Sequence, residues 1–250
     1  MIPLKTAAEI DAIAESGRII AGLFRAIRAE VQPGRSTWDL DRFGEEFIRS
    51  HDGAIPAFKG LYGFPASLCI SVNEEVVHGI PRKERILAEG DLVSIDAGVR
   101  LNGWYADAAI TLPVGETDPA SHRLLEVTQE ALRNGIERAH AGNRIGDIGH
   151  AVQKTAEKAG FTVVRDLVGH GIGREPHEEP QVPNFGAPGR GETLVAGMVI
   201  CIEPMINQGK ATVRTLADKW TVVTADRRRS AHFEHTVAIT DNGPRILTAS

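Results

Sequence analysis

The chain has 250 residues, of which 42% are hydrophobic and 24% are charged, with 26 glycines and 13 prolines. This composition excludes a disordered, collagen-like or coiled-coil protein and is typical of a globular chain long enough to fold without disulfide or metal support. The net charge of −5 argues against general nucleic-acid binding, which needs a basic surface. The two cysteines, Cys69 and Cys201, form no CxxC pair, so we expect neither a disulfide scaffold nor a zinc finger.

The N-terminal stretch lacks the apolar segment of a signal peptide. The longest apolar run, residues 194–202, is too short to span a bilayer. We therefore expect a reduced, soluble protein of the cytoplasm that does not bind membranes.

Apolar residues at intervals of three and four predict a first helix over residues 4–31, ended by Pro33-Gly34. A second helix is predicted over residues 37–48, before strands at 67–72, 92–100 and 107–112. The same order then returns, with helices at 121–139 and 145–159 and strands at 162–168, 198–202 and 233–240.

Similar segments also recur at an offset of 107 or 108 residues. Pro33-Gly34 corresponds to Ala141-Gly142, and residues 87–96 correspond to 194–203. Two copies, at about residues 4–112 and 121–240, predict one α+β domain over residues 1–250. Its curved antiparallel sheet would come from both halves, with helices covering one face.

The repeat places Asp96 and Glu203 at equivalent positions late in a strand, while Asp107 and Glu234 open the next strand of each half. Asn102-Gly103 is a strong hairpin signal. With these two residues at the turn, residue 101 pairs with 104, 98 with 107 and 96 with 109. Asp96 and Asp107 then lie diagonally on one face, roughly 7–8 Å apart, and Gly98 leaves room beside them.

Each of these four acids could be a solvated surface residue. Together on one face, among small residues, they would repel each other unless a cation compensated their charge. Paired carboxylates of this kind can hold two metal ions. The sequence therefore favours a dinuclear metal site.

Three histidines are candidates for the same site. His170 lies in a segment predicted to be a glycine-rich loop, residues 168–173, whose backbone could approach a ligand closely. The segment lacks the spacing of a phosphate-binding loop. His177 follows it, and His78 follows a predicted strand; each of the three is as compatible with a structural histidine as with a site residue. Other histidines are assigned to the surface or the core, namely His51, His122, His140, His150 and His232.

The chain resembles the methionine aminopeptidases in a set of motifs at residues 71–74, 78–81, 90–96, 169–174, 177–180, 202–205 and 234–236. The resemblance covers nearly the whole chain and implies the pita-bread fold, with helices on one face of a duplicated sheet. No zinc-binding or SH3-ligand extension precedes the core, so the chain is most similar to the short bacterial type I form.

The resemblance implies that Asp96 binds one divalent metal, that His170 and Glu203 bind the other, and that Asp107 and Glu234 bridge both. The metals would be Co, Mn, Fe or Zn. A hydroxide activated by them would attack the first peptide bond and release the initiator methionine.

The resemblance also implies roles for residues around the metals. Glu203 would carry the proton to the leaving amine. His78 and His177 would donate hydrogen bonds to the substrate and its oxyanion.

By the same resemblance, the methionine pocket would be formed by Tyr62, Phe64, Cys69 and Trp220. A thioether packs well against sulfur and aromatic edges. Ordinary core packing is the alternative for Phe64 and Trp220. The chain departs from the family at two positions that affect the shape of the pocket: Pro176, where relatives often carry Phe, and Leu61, where an aromatic residue is common.

Asn73 and Ser230 fall where some relatives bind a monovalent cation, Na⁺ or K⁺. The expected partners are the N-termini of nascent chains, and we expect a monomer with no specific nucleic-acid ligand. The run Arg227-Arg228-Arg229 is either a solvated turn or a site of transient contact with the ribosome.

Two other functions stay open. One is an Xaa-Pro aminopeptidase or dipeptidase of the same fold, although such enzymes usually have a long extra N-terminal domain and a wider gap between the histidines that match His170 and His177. The other is a non-catalytic pita-bread binding protein, although such proteins usually lack metal ligands.

Overall fold

Four α-helices and fifteen strands follow one another in residues 2–249, which are the residues that this computed structural model describes. The helices are α1 (Ala7–Ile27), α2 (Thr37–Arg49), α3 (Pro119–Ile136) and α4 (Ile145–Lys158). The strands of the first half are β1 (Ile55–Pro56), β2 (Cys69–Val72), β3 (Glu75–Val77), β4 (Leu92–Leu101) and β5 (Trp104–Pro113). Those of the second half are β6 (Thr162–Val163), β7 (Gly169–Gly171), β8 (Glu178–Val182), β9 (Val199–Ile202), β10 (Met205–Asn207), β11 (Val213–Thr215), β12 (Val222–Thr224), β13 (Ser230–His232), β14 (Glu234–Thr240) and β15 (Gly243–Ile246).

The four predicted helices are present, with ends moved to polar caps. Helix α1 begins after Thr6, whose side chain accepts the Glu9 N–H at 3.3 Å while the Glu9 carboxylate accepts the Thr6 N–H at 2.9 Å. This reciprocal capping box satisfies N–H groups that the helix leaves unpaired. Helix α3 begins two residues earlier than predicted, because Asp118 caps it and Pro119 suits its first position.

The predicted antiparallel sheet is confirmed and draws on both halves of the chain. Its nine strands run in the order β1-β4-β5-β14-β9-β7-β8, with β2 paired to β4 and β15 paired to β14. Two three-stranded sheets, β13-β10-β6 and β11-β12-β3, lie beside it. The chain is therefore an α+β protein in which β5 and β14 join the halves.

The two faces of the sheet are chemically different. On one face, Val93, Ile95 and other apolar residues of β4 pack into a core with Ile13 and Ile20 of α1. Residues of β9 and β14 make a second core with α3 and α4. Burying each such side chain stabilises the fold by roughly 1.5–3 kcal/mol. The other face of β4 carries Asp96 and is left for small and polar residues.

The hairpin prediction is confirmed residue by residue. Leu101 pairs with Trp104, Gly98 with Asp107 and Asp96 with Ala109. Asn102 and Gly103 have φ values of 52° and 81°, as a two-residue turn of this kind requires. Strand β5 therefore begins at Trp104, three residues before the predicted start.

The expected role of Gly98 is wrong. A side chain at Gly98 would collide with Ala57 and with the ring of Phe58. The glycine therefore makes room for the segment that follows β1, and Phe58 is brought against the site in this way.

Two predictions for the second half, one of a strand and one of a loop, are also wrong. The strand expected over residues 162–168 is limited to Thr162–Val163, and the expected loop around His170 contains β7. A Cβ atom at Gly169 would collide with the main-chain oxygen of Cys201, and one at Gly171 with that of Glu179. The glycines thus let β7 fit between β8 and β9, and they are needed for strand packing.

Within the described residues, none of the helices has the length and apolar character that crossing a membrane requires.

Candidate metal centre

The predicted metal ligands lie in two adjacent rows across the sheet. The first row consists of Cys69, Asp96, Ala109 and Glu234, which face one another across β2, β4, β5 and β14. His235 pairs with Ile202, so one further step of that register places Glu203 beside Glu234. The small side chain of Ala109 therefore lies between the acidic side chains of Asp96 and Glu234.

The second row lies two residues further along β4, β5 and β14 and continues onto β9 and β7. Asp107 pairs with Gly98 on one side, and on the other side the Thr236 hydroxyl donates to the Asp107 carbonyl at 2.7 Å. Thr236 pairs with Cys201. Gly171 pairs with Ile200, so His170 lies beside Cys201. The two rows bring four carboxylates and one imidazole to one face.

Ligand atoms in these rows fall into two overlapping groups. Asp96, Asp107 and Glu234 each offer a carboxylate oxygen, and these atoms lie within 4.8 Å of one another. A nitrogen of His170, the sulfur of Cys201 and an oxygen of Glu234 form a second group within the same limit. His170 Nε2 is 3.6 Å from Glu203 Oε1. Since Glu234 belongs to both groups, its carboxylate lies between them.

Three of the four carboxylates are buried, and each of these has one oxygen without a hydrogen-bond donor. Asp107 Oδ1, Asp96 Oδ1 and Glu234 Oε1 have no hydrogen-bond partner among the described residues. Burial raises the pKa of Asp107 to about 7. Burial, together with the neighbouring carboxylates, raises the pKa values of Asp96, Glu203 and Glu234 well above their usual range. Because ionised groups are costly to bury without compensation, this donor set fits divalent cations.

His170 is oriented as a metal ligand. Its Nδ1 is 2.9 Å from the carbonyl oxygen of Gly171, to which it can only donate, so Nε2 is the nitrogen with the free lone pair. Burial lowers the pKa of His170 to about 4, which keeps the imidazole neutral at physiological pH. A neutral imidazole with Nε2 turned towards Glu203 can bind a cation.

One cavity of about 600 Å³ is lined by all the residues that were expected to bind the divalent metals or the substrate or to take part in catalysis. Its lining includes Asp96, Asp107, His170, Glu203, Glu234, His78, His177, Tyr62, Phe64, Cys69 and Trp220. Leu61 also lines the cavity, whereas Pro176 is not among the lining residues. Of the two departures from the family, Leu61 is therefore the one that contacts the pocket space directly.

The apolar end of this cavity is built around aromatic rings. Phe64 and Trp220 meet edge to face, with ring centroids 5.1 Å apart, and Phe64 packs with Cys69 and Phe58. Tyr62 differs from these residues, because it is 75% exposed. Its ring stacks on that of His177 at 6.0 Å, so Tyr62 lies at the mouth of the cavity.

The two remaining histidines flank the carboxylates. The ring of His177 approaches that of His170 edge-on at 4.5 Å, and the ring of His78 lies 6.5 Å from Trp220. Burial lowers the pKa values of both His78 and His177. Each is therefore neutral at pH 7 and has one N–H to donate.

Two residues near the rows were not predicted to belong to the site. Cys201 was considered only as one of two cysteines outside a CxxC pair, although its position two residues before Glu203 in the same predicted strand was the available signal. His232 was assigned to the surface or the core; it is buried in β13, and its Nε2 is 3.8 Å from Glu234 Oε2. His232 lies two residues before Glu234 in extended chain, where alternate residues share a face, and this spacing was a signal in the sequence.

Asn73 and Ser230 are in direct contact, since the Ser230 N–H donates to the Asn73 carbonyl at 2.9 Å. The side-chain amide of Asn73 is occupied, because it donates to Asp91 at 2.7 Å and accepts the Leu92 N–H at 3.0 Å. The adjacent Asn207 Oδ1 is buried and has no hydrogen-bond partner among the described residues.

Comparison with known proteins gives a consistent result. The family model of metallopeptidase family M24 matches residues 11–241. A methionine aminopeptidase of Clostridium perfringens is 55% identical over 248 residues, 99% of either chain, and methionine aminopeptidase 1 of Bacillus subtilis is 50% identical over the same share. A crystal structure of methionine aminopeptidase from Thermotoga maritima is similar over 100% of both chains, with 47% identity and a TM-score of 0.98.

A more distant likeness concerns the fold alone. A prolidase from Pyrococcus furiosus has a TM-score of 0.80 at 24% identity, and the match covers 99% of this chain but 65% of the prolidase.

Proposed function

This chain belongs to metallopeptidase family M24, and on that premise we propose that it removes the N-terminal methionine from peptides and proteins. It is a hydrolase, and full-length relatives that are 50–55% identical to it are methionine aminopeptidases. One observation carries the assignment to this site. Carboxylate oxygens of Asp96, Asp107 and Glu234 are buried without hydrogen-bond partners beside the apolar pocket of Phe64 and Trp220.

The residues of the two rows would hold two divalent ions. Asp96 would bind one ion, His170 and Glu203 the other, and Asp107 and Glu234 would be shared. When bound, such ions lower the pKa of a water molecule and polarise the carbonyl of the peptide bond. Carboxylate and imidazole donors suit Mn, Fe, Co or Zn.

The chain's own residues move the protons and orient the substrate. Burial and the neighbouring carboxylates raise the pKa of Glu203 in the metal-free protein. In the metal-loaded enzyme this carboxylate would pass a proton from the attacking water to the leaving amine. His78 and His177, both neutral, would donate N–H groups to the substrate carbonyl as negative charge develops on its oxygen.

Selection of methionine would depend on the apolar end of the cavity. Phe64, Cys69 and Trp220 offer aromatic edges and a sulfur atom to a thioether. Tyr62, at the mouth, would contact the substrate beyond its first residue, because it lies over His177.

The assignment is tested with purified protein and a titration of Mn²⁺, Co²⁺, Fe²⁺ and Zn²⁺. We expect cleavage of Met-Gly-Met after the first residue and no cleavage of an Ala-Pro peptide. A preference for the Xaa-Pro bond would overturn the assignment in favour of a prolidase-like activity. Elemental analysis showing neither bound nor activating divalent metal would favour a non-catalytic protein.

The cellular setting is part of the proposal. We propose that the protein acts as a monomer in the cytoplasm on the N-termini of newly made chains. Arg229 bonds to Asp118 at 2.8 Å, so a transient ribosome contact would depend on the exposed Arg227 and Arg228. Loss of ribosome co-sedimentation in a variant with both changed to Glu would support this contact, and unchanged co-sedimentation would contradict it.

A monovalent cation near Asn73 and Ser230 is also proposed. The partnerless Asn207 Oδ1 beside Ser230 supports it, because a cation would supply the missing contact. We expect K⁺ or Na⁺ to raise the Tm of the wild type and not that of Asn207→Leu. An equal effect of the salt on both proteins would contradict the proposal.

A further inference from the structure

A buried ion pair joins the N-terminal segment to the part of the chain that carries His177. Lys5 Nζ contacts Glu178 Oε2, and the two side chains are 4% and 8% exposed. By contrast, the partners of the Arg245–Asp11 ion pair are 47% and 64% exposed. Because removing one partner of a buried pair leaves an uncompensated charge, the Lys5–Glu178 contact is a fixed part of the fold.

The carboxylate of Glu178 also organises the segment before it, residues 173–178, here called the His177 loop. Glu178 Oε1 accepts the N–H of Arg174 at 2.8 Å and that of Glu175 at 3.3 Å. Pro176 has no N–H to donate. Glu178 Oε1 therefore accepts hydrogen bonds from within the loop, while Glu178 Oε2 connects the loop to Lys5.

The opposite end of the His177 loop is attached to β5. The carbonyl of Gly173 accepts the N–H of Tyr105 at 2.9 Å. The guanidinium of Arg174 lies 3.7 Å from the centre of the Trp104 ring. At the other end of the loop, Glu178 begins β8 and pairs with Gly171 of β7. The Glu178 carboxylate and Lys5 therefore act on the stretch between these two attachments, which contains His177.

Lys5 is itself held in place. Its main-chain N–H donates to the carbonyl of Gly197 at 2.7 Å, and Nζ also donates to the carbonyl of Pro3 at 3.2 Å. A side chain on Gly173 would collide with the Lys5 stem, so the glycine provides the channel through which the stem passes. Lys5 thus spans from the turn before β9 to the His177 loop.

His177 is the residue next to Glu178, and both line the catalytic cavity. The imidazole of His177 is 4.5 Å from that of His170. We propose that Lys5 is a positioning residue: its ion pair with Glu178 holds the His177 loop so that the His177 imidazole stays beside His170. The effect on turnover rests on the proposed function, whereas the effect on the His177 ring does not.

A double-mutant cycle tests this proposal with metal-loaded enzyme. The variants are Lys5→Met, His177→Ala and the two combined. We expect Lys5→Met to lower kcat roughly 10- to 100-fold, as for a misplaced catalytic group, with a smaller change in KM and no change in metal content. In the His177→Ala background, Lys5→Met should change kcat less than about twofold, because the group it positions is gone.

The same loss in both backgrounds, or no loss in either, would overturn the proposal. Lys5→Arg, which keeps the charge, should retain most of the activity. The matched control is Lys154→Met on the exposed side of α4, for which we expect wild-type kcat. If Lys5→Met alone does not fold, Lys5→Met combined with Glu178→Gln leaves no unpaired charge. That double variant should show the same loss of kcat, and wild-type kcat would overturn the proposal.

Histidine NMR separates this inference from the proposed function. In Lys5→Met we expect the imidazole resonances of His177 to shift or broaden, while those of the distant His122 stay unchanged. If the wild type fails to release methionine but the His177 resonances respond, the function is wrong and the positioning stands. If the wild type releases methionine and the His177 resonances are unaffected, the positioning is wrong.

Discussion

The two halves of the metal-binding face are assembled in different ways. In the first half, Asp96 and Asp107 lie on β4 and β5, which a two-residue turn joins and ten consecutive residue pairs hold in register. In the second half, Glu203 and Glu234 also reach neighbouring strands, but residues 204–233 lie between them and form β10 to β13. The first geometry is local, whereas the second depends on contacts between distant segments.

The difference shows how one framework provides both metal binding and selectivity. The insertion of the second half carries Trp220 and Met205, which line the cavity, and His232, which lies behind Glu234. The first half supplies the facing wall through Phe64 and Cys69. Metal ligands thus come from neighbouring strands of the large sheet, while one wall of the pocket comes from the segment between two of these ligands.

The largest expected effect comes from removing a ligand, and it should be the same in either half. Asp96→Ala, His170→Ala and Glu203→Ala should each lower kcat/KM by more than about 100-fold, the upper range for residues that merely support a ligand. Metal content by elemental analysis should fall below that of the wild type. If one half tolerated the loss with full turnover, the two halves would not form one centre.

A smaller effect is expected for a site residue outside both rows. His177→Ala should keep its metal and lose roughly 10²–10⁴ in kcat, the range for a positioned proton or oxyanion partner. Steady-state kinetics with parallel elemental analysis measures this. Full activity would remove His177 from the mechanism, and loss of metal would make it a ligand.

Ala109 and Ala108 lie on opposite faces of β5, so substitutions at these two positions allow the two faces of one strand to be compared. Ala109 separates Asp96 from Glu234, whereas Ala108 is buried on the opposite face against α1. Both Ala109→Val and Ala108→Val should destabilise the fold by about 1–3 kcal/mol through overpacking. Only Ala109→Val should weaken metal binding, by roughly 10- to 100-fold. Isothermal titration calorimetry would measure the metal affinity of both variants. Equal affinities would show that the acids on the two sides of Ala109 do not bind the metals as one site.

Metal removal should reveal the repulsion between the halves as a pH dependence. In the metal-free protein the pKa of Asp107 is raised to about 7, and those of Asp96, Glu203 and Glu234 are raised well above their usual range. The folded state then binds these protons more tightly than the unfolded chain, so stability falls as the pH rises through these pKa values.

Buried histidines act with the opposite sign but in a lower window. The lowered pKa of His170, about 4 against the ordinary 6.5, makes stability rise with pH only until the unfolded chain has lost the same proton. We therefore expect the Tm of chelator-treated protein to fall between pH 6.5 and 8, by roughly 2–4 °C for each 1 kcal/mol lost. The Tm of Mn²⁺-loaded protein should stay level, and parallel curves for the two forms would contradict this account.

The contrast between the halves also explains what the sequence could predict. The Asn102-Gly103 turn and the alternation along β4 determine the pairing of Asp96 with Ala109, so the register of the first half follows from local chemistry. In the second half, His170 was assigned to a loop because its glycines resemble a ligand-binding segment. Their role in letting β7 fit between β8 and β9 becomes visible only when all three strands are in place.

One further feature could not be derived from pattern alone. The contact of Lys5 with Glu178 joins residues 173 positions apart. Contacts of this kind reflect the packing of whole elements, for which a single sequence offers no local signal.

The smallest effect is expected at the Asn102-Gly103 turn, which joins the two strands that carry Asp96 and Asp107. Gly103 has a φ of 81°, a conformation that an alanine adopts only with strain, so Gly103→Ala should destabilise the fold by about 1–3 kcal/mol. The register of β4 and β5 is also held by the pairs from Leu92 to Arg100, so metal content and kcat should match the wild type. Denaturant unfolding with parallel elemental analysis measures both properties. If Gly103→Ala lost metal as well as stability, the turn and not the ten residue pairs between β4 and β5 would hold Asp96 and Asp107 in place.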